Sequence, residues 1–362
     1  MRRFHAILIQ LISCSLMTCL KSSAQCPLPE PRALSCGADT VSVTLIGDVM
    51  MHTRQLEYPY REFLGGISEA LRSSTVAVAN IEFTMAGEPY SGYPAFSAPD
   101  GYAQYLTKDC GIDVFLLANN HILDKGIKGL ERTLQVCDTL QTFYTGAAAD
   151  EHDEEEDYPL IITTKGIKIA LINFTYGTNV PGMVKSWPKP NYMDRRSVKS
   201  AISRAEDRGA DFIIALPHWG EEYSLEPDST QIKWAEWLAA KGVDAVIGTH
   251  PHVIQDITTI GKVPVFYSIG NSISNMSARN TRLGLMVTLK FVTDHDTGEK
   301  KMLEPEYRFT WCTLPGTLTE GYKTIFVEDY IGRRSEWIDP WDYDNMLITR
   351  RRVKDAVMRE AH

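Results

Sequence analysis

Short runs of β-branched and aliphatic residues recur along the chain, and each ends in a polar cluster. Residues 41–46 close on Gly47-Asp48, residues 75–79 on Asn80-Ile81-Glu82, and residues 114–118 on Asn119-Asn120-His121. Further on, residues 212–216 open into Pro217-His218-Trp219-Gly220, residues 245–247 into Gly248-Thr249-His250, and residues 265–269 into Gly270-Asn271. Runs of this length and composition predict buried strands. Between them, residues 60–71, 128–140, 195–208 and 229–241 space their apolar side chains at helical intervals. Alternating strands and helices predict an α/β fold, and open α/β sheets collect ligands at the carboxyl ends of their strands. The polar clusters fall on those ends, so residues far apart in sequence are expected to converge on one cleft.

Other segments depart from this rhythm. Residues 158–176 carry two β-rich runs flanking Lys165-Gly166, which predicts a hairpin, and residues 282–294 with 304–314 predict a second antiparallel pair. A sandwich of two mixed β-sheets flanked by helices accommodates both patterns. Residues 151–157 are expected to form an acidic surface loop. One domain is predicted over residues 38–335, with residues 336–362 a C-terminal polar tail or helix bearing Arg350-Arg351-Arg352, and no internal repeat is present.

A chain of 362 residues, 44% hydrophobic and 10% aromatic, can bury a full core. Its formal charge of -9 argues against a nucleic-acid partner, because phosphate backbones reward clustered Lys and Arg. An anionic polymer remains open as a partner, through a local basic patch or a bound cation. The N-terminus carries Met1-Arg2-Arg3, a mostly apolar stretch to Leu20, and the small residues Ser22-Ser23-Ala24. This predicts a signal peptide over residues 1–24 and export to the periplasm or cell envelope. Leu11-Ile12-Ser13-Cys14 offers a lipoprotein-type cleavage box as the alternative. Removal of the leader at Ala24 leaves Cys26, Cys36, Cys110, Cys137 and Cys312, an odd number. Cys26 and Cys36 are near enough in sequence for a small loop disulfide, while Cys110 and Cys137 lie in apolar stretches that suit buried thiols.

Each polar motif alone has a structural explanation. Asp48 can cap a helix, Glu82 can pair with a buried Arg, and His218 can be a core histidine satisfied by backbone. His250-Pro251-His252 is harder to explain in that way: in an extended segment the two imidazoles project to one side and can address one metal. Four of the nine His residues sit on the six strand ends. Zinc, manganese and iron accept such a mixture of imidazole, carboxylate and amide ligands. The chemistry predicted is therefore a site for one or two divalent cations.

The ordered set Gly47-Asp48-Val49-Met50, Asn80-Ile81-Glu82, Asn119-Asn120-His121 with Asp124 and Gly126, His218-Trp219-Gly220 with Glu222, Gly248-Thr249-His250-Pro251-His252-Val253 and Tyr267-Ser268-Ile269-Gly270-Asn271 resembles the motifs of CapA proteins of bacterial capsule synthesis. That family is in turn similar to calcineurin-like metallophosphatases, which implies a four-layer sandwich of two sheets between helices. Carried over by position, the resemblance implies Asp48, Glu82, Asn120, His218, His250 and His252 as metal ligands, with Glu82 as the bridging carboxylate. It implies His121 and Asp124 as catalytic, and Asn80, Trp219, Glu222 and Asn271 as substrate-binding. Two positions depart from the metallophosphatase pattern: Met50 stands where a second His is expected, with His52 as the nearby substitute, and Glu82 stands in place of an Asp. The function implied is assistance to synthesis, release or export of an anionic polymer such as poly-γ-glutamate, alongside membrane capsule-synthesis proteins, through metal-assisted hydrolysis with His121 protonating the leaving group. The alternatives are a binding and export module that does not cut, and a periplasmic metallophosphoesterase.

Overall fold

The strand Thr40–Val49 is apolar on both faces, which suits a central position. Val41, Val43 and Leu45 face one core while Ile46 and Val49 face another. In the computed structural model, which describes residues 40–294 and 296–357, this strand lies inside a nine-stranded sheet. The order along it is Lys323–Phe326, Glu306–Thr313, Leu283–Thr293, Thr40–Val49, Val76–Ile81, Val114–Leu116 and Phe143–Thr145. The last four strands run parallel and the first three antiparallel, so the sheet is mixed. A six-stranded sheet runs Ile257–Ile260, Val263–Phe266, Ala245–Ile247, Phe212–His218, Ile167–Thr175 and Leu160–Thr164, with its four middle strands parallel.

Three cores define the layers. Alternate residues of both sheets, among them Val43, Val78, Ile169 and Ile214, meet in a central core. The outer face of the larger sheet packs against Ser68–Ser73, Asp100–Gln104 and Gly126–Leu140. The outer face of the smaller sheet packs against Arg195–Asp207 and Ser229–Ala240. The result is the four-layer α/β sandwich, with the parallel strands of both sheets ending at one rim.

The predicted hairpin forms: Thr164 pairs with Ile167 across Lys165 and Gly166, both at positive φ. Leu283–Thr293 and Glu306–Thr313 form the expected antiparallel ladder. Other expectations need correction. Residues 60–71 are not one helix but a 3-10 turn, Tyr60–Glu62, followed by Ser68–Ser73. The chain bends at Gly66, where a Cβ would stand 2.4 Å from the Thr324 carbonyl oxygen, so only glycine admits the strand Lys323–Phe326 at this distance. Glu151–Asp157 is a helix rather than a loop, capped by Asp150, whose side chain accepts from the Asp153 amide; acidic residues in the first turn complement the helix dipole. The predicted strand at residues 265–269 stops at Phe266, after which the chain crosses to the larger sheet as Asn271–Ile273. Pro340–Val357 is a helix that inserts Tyr343, Met346, Val353 and Val357 into the central core. Of the two forms expected for this segment it is the helix, and it packs into the sandwich.

Cys110, Cys137 and Cys312 are free and buried. The predicted leader and the Cys26–Cys36 pair lie outside the described residues. Among the described residues, no helix is long and apolar enough to cross a membrane.

Candidate metal centre

The rim where the parallel strands end is built from both sheets. Asp48 lies near the end of Thr40–Val49, Glu82 follows Val76–Ile81, and Asn120 and His121 follow Val114–Leu116. From the smaller sheet come His218, the last residue of Phe212–His218, and His250 and His252 in the loop after Ala245–Ile247. All seven side chains are buried. The close fit at this rim needs a glycine: a Cβ on Gly47 would stand 1.8 Å from the Gly270 carbonyl oxygen, which accepts the Asp48 amide at 3.1 Å.

Two ligand groups share one carboxylate. Glu82, His218 and His250 form one and Asp48, Glu82 and His252 the other, with the ligand atoms of each within 4.8 Å of one another. Glu82 Oε1 lies 3.7 Å from His218 Nε2, and Oε2 lies 3.9 Å from His252 Nδ1. Such separations are too long for hydrogen bonds but suit two ligands each about 2.0–2.2 Å from a shared ion. Both carboxylate oxygens of Glu82 are buried with no hydrogen-bond partner, and so is His250 Nδ1. Buried polar atoms are rarely left so. The donor set therefore fits two divalent cations on either side of Glu82, with Asn120 Oδ1, 2.9 Å from His218 Nε2, beside the first.

Electrostatics agree. Burial, reinforced by the Asp48 charge, pushes the Glu82 carboxyl well above the usual carboxylate range. Burial also holds His218 and His250 well below the usual imidazole value, helped by neighbouring imidazoles, so both are neutral and able to bind metal. At His252 burial opposes the charge, but the Glu82 and Asp48 carboxylates outweigh it and raise the group to about 10.

The histidine pair differs from expectation. His250 has φ 101° and His252 φ 58°, so the segment is not extended. Backbone in this region is strained for a non-glycine residue and collects at functional sites. The turn sends the two rings to different ligand groups, their centroids 6.0 Å apart, rather than to one ion. His52 belongs to neither group: its ring packs edge-on against Phe96 at 5.2 Å, and its enclosed Nε2 has no partner.

His121 stands beside the ligands. Its Nδ1 is 2.7 Å from Asp124 Oδ2, and its Nε2 faces the centre, 4.0 Å from Glu82 Oε1. Asp124 also accepts the Phe96 amide at 2.8 Å, so it acts through His121 as a positioning residue. Among the four residues expected to bind substrate, only Glu222 is exposed. Asn80 is fully buried and donates to Asp48 Oδ1 at 2.7 Å. Asn271 Oδ1 lies 2.9 Å from His252 Nδ1, while its amide donates to the Thr281 carbonyl. Both are orienting partners of the ligands instead. Trp219 is fully enclosed in the outer core, its indole N–H given to the Tyr267 carbonyl at 2.8 Å, so no face is left for substrate.

Sequence reasoning missed three contributors. Thr249 Oγ1 lies 3.0 Å from His218 Nδ1 and so turns Nε2 toward the centre. Asn119 donates to the Ile81 carbonyl and ties two strand ends together. Asn179 donates to Asp124 Oδ1 at 3.3 Å, and its backbone amide bonds the Asn120 carbonyl at 2.8 Å. The one signal for Asn179 is a polar loop without periodicity directly after the long apolar strand Ile167–Thr175.

A two-sheet α/β sandwich with a carboxylate between two ligand groups defines a candidate binuclear metal-site protein. The chain belongs to the family of bacterial capsule synthesis protein PGA_cap, which it matches over residues 42–276. It is 26% identical over 268 residues to the capsule biosynthesis protein CapA of Bacillus anthracis, covering 69% of this chain and 63% of that one, less than two thirds of the relative's length. It is 24% identical over 279 residues to the PGA biosynthesis protein CapA of Bacillus subtilis, covering 71% and 69%. Among solved structures, the calcineurin-like phosphoesterase YfkN of Bacillus subtilis aligns over 75% of this chain and 90% of that one, at 17% identity and a TM-score of 0.44.

Proposed function

We propose that this protein is exported to the cell envelope and hydrolyses an anionic capsule polymer, poly-γ-glutamate by the names of its relatives, at a centre whose two ligand groups, sharing Glu82, would hold divalent cations. The observation that carries the reading is the unpartnered, fully buried Glu82 carboxylate set between two ligand groups. A divalent cation bound there supplies Lewis acidity and makes water a nucleophile at neutral pH. His218, His250 and Asn120 would hold one cation, and Asp48 and His252 the other, with Glu82 common to both groups. His121 serves the leaving group: Asp124 holds Nδ1 at 2.7 Å and so directs Nε2 at the centre, where it can pass a proton. In the amide hydrolysis, water oxygen bonds to the carbonyl carbon and the C–N bond breaks. The departing nitrogen takes a proton from His121 Nε2, one water proton restores the imidazole, and the other leaves with the new carboxyl group.

The test is incubation of manganese-loaded protein with poly-γ-glutamate, followed by size-exclusion of the polymer. Chain shortening that disappears in His121→Ala and in His250→Ala is expected. Cation-dependent binding without shortening contradicts the hydrolase and assigns the cleft to holding the polymer during export. Export itself is tested by fractionation, with cleavage after Ala24 read by N-terminal sequencing.

A further inference from the structure

We infer that Tyr176 and Tyr223 are the two walls of the entrance to this centre and grip the polymer on either side of the bond to be cut. The inference rests on the polymer reading above and adds the residues that select the chain. Both side chains are well exposed, 44% for Tyr176 and 47% for Tyr223. Each covers a different ligand group. The Tyr176 ring lies 4.7 Å from that of His250 and is stacked at 12° on that of His218, 6.5 Å away. The Tyr223 ring lies 6.3 Å from that of His252.

Both tyrosines are tied by backbone to the metal-binding segments themselves. The Tyr176 amide donates to the His218 carbonyl at 2.9 Å, and the Tyr223 amide donates to the carbonyl of Pro251, between His250 and His252, at 2.8 Å. Tyr223 also holds φ 69°, a left-handed conformation that strains a bulky residue and persists only where the surroundings enforce it. Its phenol lies beside the Glu222 carboxylate. Such rings are rigid anchors, because little side-chain entropy is lost when a ligand settles on them.

The chemistry of a γ-glutamyl chain suits this mouth. Planar amides and methylenes lie flat on aromatic faces, while the pendant carboxylates are drawn to the cations between the walls. Glu222 repels carboxylates from the Tyr223 side, so the neutral backbone is the part presented there. Tyr176 and Tyr223 thus choose a chain lying across the centre over a small anion that touches the cations alone.

Isothermal titration of manganese-loaded protein with a long γ-glutamate oligomer and with free glutamate tests this, with metal content measured in parallel. Tyr176→Ala and Tyr223→Ala are each expected to weaken oligomer binding about tenfold, and Tyr→Phe at either position to stay within about twofold. Glutamate affinity and metal content stay unchanged. Oligomer binding that depends on cations but ignores the tyrosines overturns the walls and leaves the function standing. Metal loss in the alanine variants overturns them too, assigning the rings to support of the imidazoles. Failure of the wild-type protein to bind the oligomer overturns both readings. Tyrosine-dependent binding of an acidic polysaccharide in its place overturns the γ-glutamyl occupant.

Discussion

Two buried carboxylates of the fold are treated in contrary ways. Asp342, at the start of the C-terminal helix, is held by the Arg282 guanidinium, Nη1 to Oδ1 and Nη2 to Oδ2, the latter at 2.6 Å. Arg282 in turn stacks on Trp311 at 4.4 Å and donates from Nε to the Cys312 carbonyl. Both charges of this pair are answered within the chain. Glu82 is buried as deeply, yet neither of its oxygens has a hydrogen-bond partner. An uncompensated buried ion costs several kcal/mol, so a fold that satisfies Asp342 and leaves Glu82 open has placed the open one where a cation belongs. The neighbours fit this contrast: around Glu82 are the neutral imidazoles of His218 and His250, a second carboxylate, Asp48, and His252 at 3.9 Å, and among the described residues no Lys or Arg pairs with it.

Breaking the answered pair has the largest expected effect. Asp342→Ala strands the Arg282 charge and is expected to cost about 3–5 kcal/mol in denaturant unfolding. Glu82→Gln is expected to do the reverse in cation-free protein, changing stability by less than about 1 kcal/mol or raising it, since a charge without a partner is removed. The same variant loses the stabilisation that cation gives the wild type, about 2.7 kcal/mol at a hundredfold excess over the dissociation constant. Thermal melts with and without manganese read both effects.

Acid sharpens the contrast further. Burial first, then the charges of His252 and His121, lower His52 to about 4 from the ordinary 6.5. Below pH 6.5 the unfolded chain takes up this proton before the folded one does, so stability falls as pH drops from 6.5 to about 4. The slope from this residue is about 1.4 kcal/mol per pH unit. Glu82, whose carboxyl burial raises well above the usual range, works in the opposite sense. The difference between wild type and His52→Phe therefore isolates the histidine: the variant is expected to lose less stability over that interval, measured on cation-free protein. The smallest effect concerns positioning. Asn179→Ala removes one amide from the Asp124–His121 pair and is expected to lower kcat up to about tenfold with metal content unchanged.

Much of this was legible in the residues. Strand ends read as apolar runs closing on Asp48, Glu82, Asn120, His218 and His250 do meet at one rim, because parallel strands of both sheets finish there. What the sequence hid were features set by the tertiary partner. Gly66 breaks a helical pattern because a strand 258 positions later, at Thr324, lies against it. Trp219 and Asn271 sit inside polar motifs and look like substrate contacts, yet both are spent on packing and on orienting neighbours. The left-handed turn at His250 and His252 has no local signal either, since neither residue favours positive φ as glycine does. Asn179 reaches the centre only because its loop folds back over His121.

The central claim is that Glu82 bridges two cations. The direct measurement is metal content by elemental analysis of untagged protein purified without chelators and equilibrated with manganese, beside Glu82→Gln at matched fold by circular dichroism. The account predicts two equivalents per chain in the wild type, one for each ligand group, and loss of cation from both positions in the variant. Folded wild-type protein that retains no cation, or a variant that retains both, would contradict it.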